Sequence, residues 1–92
     1  MIRSFKSPEP EALFNGRRVA RFTNLEKVAT RKLQMLDDAV ELSDLMAPPA
    51  NRLEALRGDR KGQHSIRINR QWRVCFKWHD GNAHDVEIVD YH

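Results

Sequence analysis

Cysteine is almost missing from this chain: Cys75 stands alone among 92 residues, which excludes an internal disulfide and suits a reducing compartment. Nowhere are there the roughly 18 uninterrupted apolar residues that a membrane-spanning helix needs. The start, MIRSFKSPEP, also lacks the apolar run of a secretory leader. The expected location is therefore the cytoplasm of a bacterial-type cell, with no membrane partner. No internal repeat, linker or low-complexity stretch appears. His64, His79, His84 and Cys75 follow no zinc spacing, so they read as surface or packing residues, and neither metal nor cofactor is expected.

What is present is a soluble globular composition, 40% hydrophobic and 32% charged. A chain this short closes one core and not two, so residues 1–92 form a single domain. Sixteen Lys and Arg against thirteen Asp and Glu leave a net charge of only +3. With so small an excess, where the charge sits matters more than its sum.

The stretch GQHSIRINRQWRVCFKW, Gly62 to Trp78, alternates apolar and polar residues with the period of half-buried strands. Residues opposite on paired strands must share a face. A three-residue loop at Asn69-Arg70-Gln71 then sets Ile68 opposite Trp72, Ile66 opposite Val74, and Arg67 opposite Arg73. The apolar set, Trp72, Val74, Phe76 and Trp78, faces the core. The two tryptophans are therefore core residues and not platforms for stacking bases. The other face reads as wet and basic, and a pair of arginines placed side by side is unfavourable unless an anion joins them.

Met1 to Phe5 suggests a short strand. Ser7, with Pro8 after it and Glu9 and Glu11 in the first turn, predicts a short helix stopped at Gly16, with Leu13 and Phe14 inward. Arg17, Arg18 and Arg21 form a basic connector. Thr23 and Glu26 fit a capping box at the start of a second helix. Its stripe, Leu25, Val28, Ala29, Leu33, Leu36, Ala39 and Val40, recurs at helical spacing to about Glu41, with Lys27, Arg31 and Lys32 pointing elsewhere. Leu42 to Met46 adds a turn before Pro48 and Pro49 end it. Asn51 to Arg57 is assigned to an edge strand, and Gly58 to Gly62 to a basic loop. After Trp78, a three-residue turn at Asp80-Gly81-Asn82 sets Lys77 opposite Asp85 in a last strand, His84 to His92. The same register puts Arg73 opposite Val89 and diagonal to Tyr91.

Guanidinium forks match phosphates bidentately. Arg67 and Arg73, with Tyr91 and His92 beside them and Arg57, Arg60 and Lys61 on the preceding loop, supply the parts of an RNA-cleaving site without a metal. Cleavage needs a base for the 2′-hydroxyl proton, a cation for charge building on the phosphate, and an acid for the departing oxygen. Imidazole titrates near neutral pH, so His92 suits either proton transfer. Glu54 and Asp90 are alternative bases.

The segment NRLEALRGDRKGQHSIRINRQWRVCFKW carries L-x-G-D-R-x-G and S-I-R-x-N-x-Q-W-R, and the chain starts MIRSF and ends VEIVDYH. In these it resembles the HigB toxins of type II toxin-antitoxin systems, members of the RelE-like superfamily. The resemblance implies an α+β fold with two N-terminal helices on a small curved, mainly antiparallel sheet. It also implies cleavage of mRNA in the ribosomal A site, and neutralisation by a helix-turn-helix HigA antitoxin through which alone the pair would meet operator DNA. By the same resemblance Arg73 lies at the scissile phosphate, Asp90, Tyr91 and His92 form the functional C-terminal tripeptide, and Arg57 binds the RNA backbone. Glu54 is a departure, since some HigB toxins carry histidine there. A carboxylate can serve as a base but is a poor acid at neutral pH, which either shifts proton donation toward His92 or implies weak activity. The competing reading is a non-catalytic module that docks on the ribosome or on a protein through the same basic face.

Overall fold

The alternation through 62–78 becomes two antiparallel strands in the computed structural model, which describes residues 1–91. They are β2 (Gln63–Arg67) and β3 (Trp72–His79). Ile66 lies opposite Val74 and Arg67 opposite Arg73, as the odd loop requires. Asn69 closes that loop: its side-chain oxygen accepts the amides of Gln71 and Trp72 at 2.8 and 2.9 Å, an Asx-type turn. β4 (Asn82–Asp90) joins the other side of β3, and β1 (Glu54–Ala55) the free side of β2. The sheet is antiparallel in the order β1-β2-β3-β4. The N-terminal segment runs parallel beside β4, with Ile2 bridging to Ala83 and Phe5 to Val86, and covers that edge there.

The β3–β4 turn differs from expectation. Asp80 and Gly81, at φ 50° and 75°, make a two-residue turn with His79 opposite Asn82; in such turns both central residues are left-handed. An even loop alone would put the two strands out of step. One extra residue in β4 restores the phase: Lys77 faces His84 and not Asp85, whereas Cys75 faces Glu87. Asp85 takes up the bulge at φ 51°. Beyond it Arg73 lies opposite Val89, as expected.

Helix α1 (Pro8–Phe14) follows an extended Ser7, which makes no side-chain cap. Helix α2 (Glu26–Asp38) presents Ala29, Leu33 and Leu36, all fully buried, to a core that includes Val74, Phe76 and Val86 of the sheet. Three expectations for this region fail. Thr23 does not cap α2; residues Ala20–Leu25 wind into a tighter 3₁₀ turn in which Thr23 Oγ1 donates to the Ala20 carbonyl at 2.9 Å. That turn carries Phe22 into the core, edge-on to Trp72 with ring centroids 5.5 Å apart. Val40 is 74% exposed because α2 stops at Asp38 and Ala39 is extended. Lys32 points inward and is buried.

Leu42–Met46 forms a 3₁₀ turn whose start is capped by Asp44, with Oδ2 accepting the amides of Val40 and Glu41 at 2.9 Å each. Those two amides hold the Asp44 carboxyl below its ordinary range. Pro49–Asn51 makes another short turn and Arg52 leaves it left-handed, at φ 44°. The edge strand expected over Asn51 to Arg57 therefore shrinks to the two residues of β1.

Candidate active site

Ser65, Arg67, Arg73 and Cys75 share the face of the sheet turned away from the helices, because they sit opposite one another across β2 and β3. The expectation that this face is wet fails at its centre. Arg73 is only 6% exposed. A buried guanidinium requires hydrogen-bonding partners, and Arg73 has them. Nε donates to Ser65 Oγ at 2.7 Å, and Nη2 to the Arg52 carbonyl at 2.6 Å and the Ser65 carbonyl at 3.4 Å. The other terminal nitrogen, Nη1, faces Glu54 Oε1 at 3.8 Å, an ion pair longer than a hydrogen bond. The Tyr91 ring lies 5.9 Å from the guanidinium carbon, within cation-π range.

Glu54 and Tyr91, with Ala55, Leu56 and Arg57, line an open groove of about 640 Å³. The Glu54 side chain is 53% exposed and Arg57 is exposed. Two of the residues that line the groove, Glu54 and Tyr91, touch the Arg73 guanidinium, and Arg57 adds a second cation at its lip.

Tyr91 is held there by Gln71, at the β2–β3 turn. The Gln71 carbonyl accepts the Tyr91 amide, and Gln71 Nε2 donates to Asp90 Oδ2 at 3.0 Å. Asp90 lies opposite Trp72 and so projects to the helix side of the sheet, away from Arg73. His92 lies outside the described residues.

Of the four residues expected to touch RNA, Arg57 lines the groove. Arg60 Nη1 donates to Glu87 Oε2 at 3.1 Å and to Gln63 Oε1 at 3.2 Å, and the bond to Glu87 raises the Arg60 pKa. Lys6 joins the same carboxylate at 3.3 Å. Lys61 is exposed on the preceding turn, and Arg67 is half-buried, close enough to Lys32 to disfavour the ammonium there. Cys75 is fully buried between these strands, and burial pushes its thiol pKa up. Trp72 is buried, and Trp78 packs partly buried against the core, as the alternation predicts.

The sequence reading missed Ser65, the Arg52 carbonyl and Gln71. Ser65 was within reach of it, since the expected register already puts residue 65 diagonal to Arg73 on one face. A carbonyl turned inward by a left-handed residue leaves no signal in side-chain chemistry.

A family model described as "RelE-like toxin of type II toxin-antitoxin system HigB" matches residues 14–92. The chain belongs to the HigB-like toxin family. This HigB-like toxin is 32% identical over 94 residues to "Endoribonuclease HigB" of Proteus vulgaris, an alignment covering 100% of both proteins. To "Toxin HigB-1" of Vibrio cholerae serotype O1 it is 49% identical over 61 residues, covering 66% of this chain and 64% of that protein. The match thus spans just under two thirds of the Vibrio toxin's length. Its fold is similar to that of the YoeB-YefM complex from Staphylococcus aureus, with a TM-score of 0.62 at 18% identity over 100% of this chain and 98% of that one. The expected RelE-like α+β architecture, helices on an antiparallel sheet, is the one observed.

Proposed function

We propose that this HigB-like toxin is a metal-independent endoribonuclease that cuts mRNA in the ribosomal A site and so halts translation. The observation that carries the reading is Arg73: three of its contacts fix it in place while its guanidinium meets two residues that line the groove, Glu54 through Nη1 and the Tyr91 ring. A phosphate entering the groove takes that edge of the guanidinium, displacing a carboxylate held only at 3.8 Å. Glu54, swung toward the ribose, accepts the 2′-hydroxyl proton. The oxygen attacks phosphorus, and Arg73 offsets the charge that builds on the phosphoryl oxygens. The 5′-oxygen then leaves with a proton, for which His92 has the right chemistry. Arg57 takes the RNA backbone at the groove; Lys61, Arg67 and Arg60 extend the cationic path, and Asp90 acts through Gln71 by anchoring the tail. With carboxylate in place of imidazole at residue 54, turnover is modest.

The remaining assignments follow the family. A HigA-like helix-turn-helix antitoxin neutralises this toxin and carries the pair to operator DNA, and both act in the cytoplasm. A similar fold solved as a heterotetrameric YoeB-YefM toxin-antitoxin complex supports such pairing.

A second reading draws on one observation, the depth at which Arg73 lies. A cation already hydrogen-bonded by the protein suits a structural post, and the chain would then be a non-catalytic module docking on the ribosome. A translating extract with message ends mapped separates the two. The nuclease reading expects new ends with the intact protein and a loss of about 100-fold or more in Arg73→Ala, with a similar loss on deleting Tyr91 and His92. Stalled translation on uncut messages would overturn it.

A further inference from the structure

The support beneath Arg73 reaches back to α2. Asn51 has no exposed surface, and every polar atom of its side chain is engaged. Nδ2 donates to the Leu45 carbonyl at 3.1 Å and the Ala47 carbonyl at 3.2 Å, while Oδ1 accepts the Lys32 ammonium. Its backbone amide is also held, by the Pro48 carbonyl at 2.9 Å. Residue 51 is therefore fixed by side chain and main chain together. The next residue, Arg52, adopts φ 44° and ψ 57°, a conformation disfavoured wherever a Cβ is present. Such a conformation persists where its surroundings over-determine it. Its carbonyl is the one that accepts Arg73 Nη2 at 2.6 Å.

We propose that Asn51, clamped by Lys32, is a positioning residue for Arg73: it sets the Arg52 carbonyl that turns the Nη1 edge of the guanidinium toward Glu54 at the groove. The proposal rests on the nuclease reading above and deepens it. Stability alone is a poor reason for the clamp. Lys32 is 7% exposed, and burial together with the charges of Arg31 and Arg67 holds its pKa below the usual lysine value. Well-packed apolar side chains of similar volume would serve the fold as well or better. What an apolar pair would not do is fix the direction of the carbonyl one residue later.

Three variants of the full chain, Asn51→Ala, Lys32→Met and Lys32→Arg, are compared with the intact protein in the translating extract. The arginine Nε–H resonance of Arg73 is followed by NMR in each. Asn51→Ala and Lys32→Met are expected to lower kcat by about tenfold or more while KM changes little, as for a misplaced but still present group. Both are expected to move the Arg73 resonance, and Lys32→Arg to restore part of each effect. Neither is expected to weaken cleavage further once Arg73→Ala is present, since residues acting through one another are not additive. Folded Lys32→Met protein with unchanged kcat and an unmoved resonance would overturn the proposal, and this milder variant decides the matter if Asn51→Ala does not fold. If the intact protein cuts nothing, the nuclease reading fails. The resonance then decides by itself whether the clamp positions Arg73.

Discussion

Over residues 72–76 the two faces of β3 are both buried, for opposite reasons. On the helix side Val74 and Phe76 have no exposed surface because apolar neighbours surround them. On the other side Arg73 and Cys75 are shielded almost as completely, yet there the arginine is held by hydrogen bonds to Ser65 and Arg52. The first face is indifferent to the direction of its contacts and sensitive to volume. The second is sensitive to direction, because an unpaired donor in a dry place is expensive. On the nuclease reading, one side of this single strand serves the fold and the other the chemistry.

The largest effect is expected on the packed face. Phe76→Ala leaves a cavity and is expected to lower the unfolding free energy by about 3–5 kcal/mol, read by denaturant titration. Whatever fraction remains folded should keep the groove intact. On the polar face Ser65→Ala deletes a single oxygen but strands the Nε of a buried cation. A loss of about 1.5–3 kcal/mol is expected, accompanied by weaker cleavage, whereas an equally small deletion on the packed face should cost stability alone. A loss confined to stability would mean that the two faces do not divide the labour as described.

The smallest effect concerns Cys75. Its thiol pKa is raised by burial, so above the ordinary thiol value of about 8.5 the unfolded chain ionises while the folded one does not. Stability should then fall slightly as pH rises through that range, and Cys75→Ala should remove this part of the slope. Alkylation followed by mass spectrometry should label Cys75 only as the chain unfolds. Rapid labelling of the native protein would show that the polar face is open to water.

Alternation and face-matching were enough to place β2, β3 and the opposition of Arg67 and Arg73, because the period of two leaves little choice once one face is apolar. The α2 stripe was legible for the same reason at helical spacing. Depth was not. Parity tells which face Arg73 is on, but not that the chain at Arg52 and Glu54 contacts its guanidinium. Lys32 escaped notice because a lysine on a helix is ordinarily solvated, and its partner Asn51 lies 19 positions away. Thr23 and Glu26 have the spacing of a cap, but the burial of Phe22 goes with a different turn. The groove was only partly legible: Tyr91 beside Arg73 followed from register, and so did the opposite face of Asp90, since Arg73 opposite Val89 already sets Trp72 opposite Asp90; the grouping of Asp90 with the site followed the family pattern and not the register.

The bulge at Asp85 separates the hairpin's tip from its base. Between them, β4 has one residue more than β3, so a lineage that lost a residue there could let the bulge straighten and leave the alignment of residues 73 and 89 untouched. Length variation among descendants of this hairpin should therefore gather at the distal end, where the strand holds slack, while the proximal end tolerates none.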